Sequence, residues 1–268
     1  MNMFVNQFSN RQSSPLLSGR PCVMMRASLI ILIVIAGSAS LWAQQSSGGA
    51  AEIIRSMEQR MYPDARTEMH LVSVSRGVRE EYRLTSFARD NNQRIIVRFH
   101  EPASMVGQDL LMLDRNVWLY DPRAGREMRI PSNQSFGGTG FSYGDVLRLN
   151  FSDNYSAAIA GETASQWTLE LTALRRDAPY ERITLEVTRD FNPVRGRCYS
   201  RAGELVKEMV YSSPAAVSGT VKPLTVTVSS PLDPAETSTL TIVSEQRTSY
   251  PQSIFNRRNL ALRLEENY

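Results

Sequence analysis

Residues Gly140–Gly144 (GFSYG) match the pattern G-x-S-x-G, in which a serine on a sharp turn is the nucleophile of an esterase or lipase. That chemistry requires a strand before the serine, a helix after it and a histidine base later in the chain. The residues that precede this motif are loop-like, and the only two histidines, His70 and His100, lie upstream of Ser142. The context therefore disfavours nucleophilic catalysis by Ser142.

Ser142 and Asp145 also have the spacing of a capping box, which predicts a short helix over Tyr143–Asn150. Metal chemistry has no better support, because two isolated histidines and Cys198 do not form a zinc-binding pattern. We therefore predict no catalytic residue, no metal site and no cofactor, and expect a protein that is not an enzyme.

The charge of the chain is concentrated at its N-terminus. The 268 residues carry a formal net charge of +3, but residues 1–43 hold three arginines and no acidic residue. Residues 44–268 therefore contain 27 basic and 27 acidic residues. A neutral domain argues against nucleic acid as a partner and against attachment to anionic lipid through charge alone.

The N-terminal segment has the pattern of a secretory signal. Arg26 precedes the apolar run Ala27–Ala36 (ASLIILIVIA), and small residues follow as far as Ala43. The apolar run is too short for a comfortable transmembrane helix. We predict a signal peptide over residues 1–43, cleaved near Ala43, and export to the periplasm. Cys22 lies upstream of the apolar run, so the exported chain is not itself expected to be a lipoprotein.

The exported chain is predicted to be mainly β with a few helices. Residues 44–50 form a flexible leader, and Ala51–Met61 has an amphipathic helical pattern. Alternating apolar residues then predict about 10–11 antiparallel strands in one domain over residues 51–268. A short helix over Pro251–Leu264 ends the chain.

Each predicted strand has one apolar and one polar face. In residues 94–100 (RIIVRFH), one face of the strand bears Ile95, Val97 and Phe99. The opposite face bears Arg94, Arg98 and His100. The apolar face of so long a sheet has to be covered by a second sheet, by closure or by helices. The helical segments look too small to fill it, and an under-filled apolar cup suits a lipid-handling protein. A fully packed sandwich or barrel core fits the same pattern.

The middle of the chain resembles a known family. An ordered set of short motifs carries the resemblance: Phe99–Pro102 (FHEP), Gly107–Leu111 (GQDLL), Trp118–Pro122 (WLYDP), Arg126, Arg129–Pro131 (RIP), Gly138–Val146 (GTGFSYGDV) and Ile254–Leu260 (IFNRRNL). These motifs are similar to those of the outer membrane lipoprotein-sorting proteins, the periplasmic carriers related to LolA and LolB.

The resemblance implies an incomplete antiparallel β-barrel whose helices cover a concave apolar face. The candidate lipid-binding residues on that face are Tyr82, Leu84, Ile95, Val97, Phe99, Trp118, Tyr120, Trp167, Leu169 and Leu171. The segment from residue 137 to 150 would form a lid, with Phe141, Tyr143, Val146 and Leu147 on its apolar side.

The function that this resemblance implies is binding without bond chemistry. A carrier would shield acyl chains of lipoproteins or phospholipids and move them toward the outer membrane. Its partners would be an inner-membrane ABC transporter and an outer-membrane receptor. Two alternatives stay open from the residues alone: a periplasmic esterase that uses Ser142, and a periplasmic sensor that binds another protein through the cup.

Overall fold

The computed structural model describes residues 49–148 and 150–268. The predicted signal peptide over residues 1–43 and most of the leader lie outside the described residues. Helix α1 covers residues 49–61, so the last two residues of the predicted leader are already helical, and Ala50 is fully buried. The predicted apolar side of α1 is buried as expected, including Ile54 and Met57.

Thirteen antiparallel strands form one sheet in the order β6-β5-β4-β3-β2-β1-β13-β12-β11-β10-β9-β8-β7. The strands are β1 (Ala65–Ser75), β2 (Val78–Arg89), β3 (Arg94–Glu101), β4 (Asp109–Leu113), β5 (Asn116–Asp121), β6 (Arg126–Ile130), β7 (Tyr155–Glu162), β8 (Gln166–Ala173), β9 (Arg182–Thr188), β10 (Pro193–Tyr199), β11 (Leu205–Val217), β12 (Thr220–Ser230) and β13 (Asp233–Arg247). The sheet ends at β6 and β7 and does not close, which confirms the prediction of a mainly β, incompletely closed antiparallel fold.

The predicted count of 10–11 strands is too low. Strand β4 (DLLML) is buried along four of its five residues, so both of its faces are apolar and the alternation that identifies a strand is missing. Strand β6 is a five-residue edge strand with three exposed residues, and its pattern is too short to stand out from a loop.

Side chains on the two faces of the sheet form two separate apolar clusters. We call the face that bears Ile95, Val97 and Phe99 the inner face; it packs against α1 and the segment before β7. The opposite, outer face bears Ile96 and Leu111. Its cluster is completed by side chains that follow β13: Tyr250, Ile254, Phe255 and Leu260.

The alternation predicted that the outer face of β3 is exposed to solvent, but this face is buried around Arg98. Arg98 is only 1% exposed and lies between two carboxylates, with Nη1 2.6 Å from Asp109 Oδ2 and Nε 2.5 Å from Glu265 Oε1. Glu265 belongs to the C-terminal segment, which covers this part of the outer face. The pattern of one strand could not reveal a segment that returns from the far end of the chain.

The C-terminal segment is less regular than predicted. Instead of one helix over Pro251–Leu264, it forms three short 3-10 turns at Gln252–Ile254, Arg257–Leu262 and Leu264–Asn267. Arg263, with a φ of +50°, separates the last two turns. No helix in the described part of the chain is both long and apolar enough to cross a lipid bilayer.

Candidate functional site

The segment between β6 and β7 lies against the inner face and contains two one-turn helices. Helix α2 is Tyr143–Val146 and helix α3 is Phe151–Asn154. The capping box predicted for α2 is present: the Asp145 N–H donates to Ser142 Oγ at 3.1 Å, and the Ser142 N–H donates to Asp145 Oδ2 at 2.8 Å. This network fixes the start of α2.

Helix α2 is shorter than the predicted helix over Tyr143–Asn150. Arg148 adopts a left-handed backbone with a φ of +52°, which ends the helical run. The buried side chain of Asn92 holds this turn, because its Nδ2 donates to the carbonyl oxygens of Leu147 at 2.9 Å and Arg148 at 2.6 Å. The partner of this turn comes from the β2–β3 connection, far away in sequence.

Phe136 anchors the segment to the β1–β3 side of the inner face. Its fully buried ring lies 5.1 Å from the ring of Tyr82, 5.5 Å from Phe99 and 5.4 Å from Tyr143, measured between centroids. Gly137 follows with a φ of +57°, and a Cβ there would lie 2.6 Å from the Tyr82 hydroxyl. Phe136 was not among the predicted site residues, although it stands directly before the glycines of the predicted lid.

The four lid candidates come together at the inner face. Phe141, Tyr143, Val146 and Leu147 are all buried in the inner cluster. The segment from residue 136 to 148, hereafter the lid, is therefore seated by one continuous set of apolar side chains.

Polar contacts hold the end of the lid that contains Asp145. Asp145 Oδ2 lies 2.6 Å from Nζ of Lys207 on β11, and the Tyr180 hydroxyl donates to the same oxygen at 3.1 Å. Next to the lid, the buried carboxylate of Glu58 on α1 accepts from the N–H and the hydroxyl of Ser152 at the start of α3. Burial raises the pKa of Glu58, and these hydrogen bonds act in the opposite direction.

An apolar hollow opens beside the lid. The enclosed space is about 80 Å³, well below the range of about 300–1,000 Å³ typical of small-molecule sites, so the lid and the walls nearly fill the hollow in this conformation. One wall consists of side chains from β11–β13: Met209, Tyr211, Leu224, Val226, Leu240 and Ile242. The opposite side is formed by the end of α1, the lid, α3 and the start of β7, and includes Tyr62, Phe141, Asp145, Arg148, Phe151 and Tyr155.

Eight of the ten candidate lipid-binding residues lie on the inner face, and none of the ten lines this hollow. Seven of the eight are buried core side chains: Tyr82, Leu84, Ile95, Val97, Phe99, Leu169 and Leu171. The eighth, Trp167, is partly buried, with its ring stacked 5.6 Å from that of Phe191. The lid covers the β1–β3 side of the inner face and leaves part of the β11–β13 side as the wall of the hollow.

The assignment of Trp118 and Tyr120 to the concave side is corrected by the strand register. Trp118 pairs with Leu111 on the outer face, and both aromatic residues pack against the outer cluster. Val117 and Leu119 take the inner positions. Because β5 carries apolar residues in both phases, its pattern could not fix which side chains point inward.

The residues that line the hollow were predicted as strands but not as a site. The alternation of apolar residues in β11, β12 and β13 is visible in the sequence, but it does not distinguish these strands from the rest of the sheet. Their distinguishing property is tertiary: Tyr211, Leu224 and Val226 stay partly exposed because the lid does not cover them. A one-dimensional pattern does not contain that information.

The described residues offer little for bond chemistry. Ser142 is buried and serves as the cap of α2. His70 contacts Glu81 and His100 contacts Thr85, and both histidines alternate with inner-face residues, so they lie across the sheet from Ser142. The sole cysteine among the described residues, Cys198, is buried as a free thiol, and burial raises its pKa. No cluster of metal-ligating side chains occurs in residues 49–148 and 150–268.

Solved structures share this architecture. A LolA superfamily protein from Nitrosomonas europaea superposes with a TM-score of 0.71 at 24% identity, over 78% of this chain and 98% of that one. A proposed outer membrane lipoprotein-sorting protein domain from Vibrio parahaemolyticus gives a TM-score of 0.69 at 17% identity, over 80% and 99%. A DUF1329 family protein from Desulfovibrio piger gives 0.69 at 18% identity, over 80% and 99%.

The fold is thus that of the LolA superfamily and of outer membrane lipoprotein-sorting domains, which confirms the resemblance seen in the sequence. A family model with the description "uncharacterized protein" matches residues 91–261. This match covers more than half of the chain, so the chain belongs to that family. No curated protein matches it.

Proposed function

We propose that this chain is a periplasmic carrier that binds the acyl chains of lipoproteins or other lipids in the hollow beside the lid. The observation that carries the proposal is the apolar wall of β11–β13, which an open sheet leaves partly uncovered. The shared fold supports it, since a neighbour with this architecture is described as a lipoprotein-sorting domain. The predicted signal peptide is consistent with work in the periplasm.

The energetics of such a carrier depend on small differences. Burial of acyl chain is favourable by about 0.8 kcal/mol per methylene group. Extraction from a membrane costs nearly the same amount, because the membrane interior is equally apolar. The net preference therefore has to come from the fit between chain and hollow. A wall that remains partly exposed to water favours release as well as binding.

The lid would control entry to the hollow. Phe141 lines the hollow from the lid, and the lid is tied to β11 through the contact between Asp145 and Lys207. Loss of that contact would free the Lys207 side of the lid while Phe136 still held the other end. Cargo would then pass between an inner-membrane ABC transporter, this carrier and an outer-membrane receptor, by differences in affinity.

Lipid analysis of the purified, exported protein tests the proposal. We expect mass spectrometry of the native protein to detect bound lipid, and the lipid-free protein to take up a fluorescent fatty acid. A protein that carries no amphiphile and takes up no fatty acid would refute the carrier.

The same preparation tests the alternative of an esterase. Hydrolysis of a short acyl ester that is lost in Ser142→Ala would replace the carrier by an enzyme. We expect no such activity, because the Ser142 hydroxyl accepts a helix N–H and no histidine lies on its side of the sheet.

A further inference from the structure

Arg148 is one of the residues that line the hollow, and its guanidinium group is buried beside Ser86 and Tyr62. The residue follows α2 and has a left-handed backbone that Asn92 fixes through two hydrogen bonds to neighbouring carbonyl oxygens. Its Nη2 donates to Ser86 Oγ at 3.3 Å, and its Cζ lies 5.3 Å from the centre of the Tyr62 ring. The side chain is therefore held in place within an apolar site.

Arg148 forms no ion pair with a carboxylate among the described residues, and Glu245, whose charge attracts its guanidinium, is already paired with Lys222. The Nη1 of Arg148 is buried and makes no hydrogen bond within the described part of the chain. Residues 1–48 and Leu149 contain no Asp or Glu either. A buried guanidinium without a carboxylate is costly, and burial lowers the pKa of Arg148.

The other charges of this region are already paired. Asp145, on the same side of the hollow, contacts Lys207 at 2.6 Å. Lys222, next to Pro223 in the wall, pairs with Glu245 at 2.8 Å. Arg148 and Lys222 thus share the single carboxylate of Glu245, which leaves this region with one positive charge in excess.

We infer that Arg148 is a binding site for the anionic headgroup of the cargo, a carboxylate or a phosphate. The inference rests on the proposed function and narrows the cargo to amphiphiles that carry a negative charge near their acyl chains. The planar guanidinium fits both groups, because it can donate two parallel hydrogen bonds to a pair of oxygens. The acyl chain then lies along Leu224 and Val226.

A matched pair of ligands tests this site. The fluorescent fatty acid cis-parinaric acid and its methyl ester share one acyl chain, but only the acid is anionic at pH 8. We expect the wild-type protein to bind the acid roughly ten- to a hundredfold more tightly than the ester. Arg148→Gln should abolish this preference while it leaves the affinity for the ester unchanged. Arg123→Gln, at an exposed arginine in the β5–β6 turn, is the control and should keep the preference.

The outcomes separate this inference from the carrier itself. Two results would contradict a headgroup site at Arg148: equal affinity of the wild-type protein for acid and ester, or a full preference for the acid in folded Arg148→Gln. Neither result would contradict the proposal that the protein is a carrier. If the wild-type protein binds neither ligand, both the carrier function and the headgroup site are contradicted. If Arg148→Gln does not fold, the wild-type comparison still decides. Displacement of the probe by palmitate and by lysophosphatidic acid then distinguishes a carboxylate from a phosphate cargo.

Discussion

Val226 is a suitable position for testing whether the apolar wall of the hollow binds acyl chains. It lies on β12, lines the hollow and is partly buried, whereas Val243 on β13 points away from the inner cluster and is 65% exposed. We expect Val226→Asp to weaken fatty acid binding at least about tenfold, because a carboxylate in an apolar wall has to be desolvated when the chain binds. Fluorescence titration measures the effect. Val243→Asp should bind like the wild-type protein, and an equal loss in both variants would contradict the location of the site.

Asp109 makes the stability of the outer face depend on pH. Burial raises its pKa to about 6, although Arg98 and Arg263 oppose the shift. The folded protein therefore takes up this proton at a higher pH than the unfolded chain. Its contribution to the free energy of unfolding is greatest below pH 4 and is lost as the pH rises through about 6.

The variant Asp109→Asn isolates that contribution. The measurement is the free energy of unfolding in urea for both proteins between pH 4 and pH 7. As the pH rises, the value for the wild-type protein should fall by up to about 3 kcal/mol more than the value for Asp109→Asn. Other titrating groups are common to both proteins and cancel in the comparison. Parallel pH profiles for the two proteins would show that Asp109 does not titrate in this range.

The lid is an element whose two ends are held differently. Phe136 is packed among three aromatic rings, whereas the other end depends on the contact of Asp145 with Lys207 and Tyr180. A hydrogen bond between charged groups is typically worth about 1.5–3 kcal/mol. The Asp145 end is therefore the one that a single substitution can release.

Lys207→Met should loosen the lid without loss of the fold. We expect amide hydrogen exchange to become roughly tenfold faster or more in residues 141–148, and fatty acid uptake to become faster. Exchange in α1, which does not contact Lys207 through a hydrogen bond, serves as the internal reference. Unchanged exchange in the lid would mean that the Asp145–Lys207 contact does not hold it closed.

Local chemistry explains which elements the sequence could predict. The apolar stripe of α1 and the Ser142–Asp145 capping box depend on neighbours within a few residues, and both are present. The end of α2 at Arg148 depends on Asn92, and the buried state of Arg98 depends on Glu265, 167 residues later. Such long-range partners leave no mark on the local pattern, and the same is true of the orientation of Trp118.

At the scale of the whole sheet, the two faces are covered by different parts of the chain. The outer face of β2–β5 is sealed by the C-terminal segment through Tyr250, Phe255 and Leu260. The inner face is covered by α1 and the lid except along part of β11–β13. The sequence predicted an apolar face with a possible cavity, but only the three-dimensional packing shows which strands remain uncovered.

Site-specific photocrosslinking can show whether acyl chains bind against the β12 wall of the hollow. A photoreactive benzoylphenylalanine at position 226 in the exported protein would capture whatever lies against β12 in the cell, and mass spectrometry of the adduct would identify it. We expect a lipid or an acylated lipoprotein to be crosslinked at position 226 and none at position 243. Adducts free of acyl chains at position 226, or equal lipid capture at both positions, would contradict a carrier that binds its cargo in the hollow.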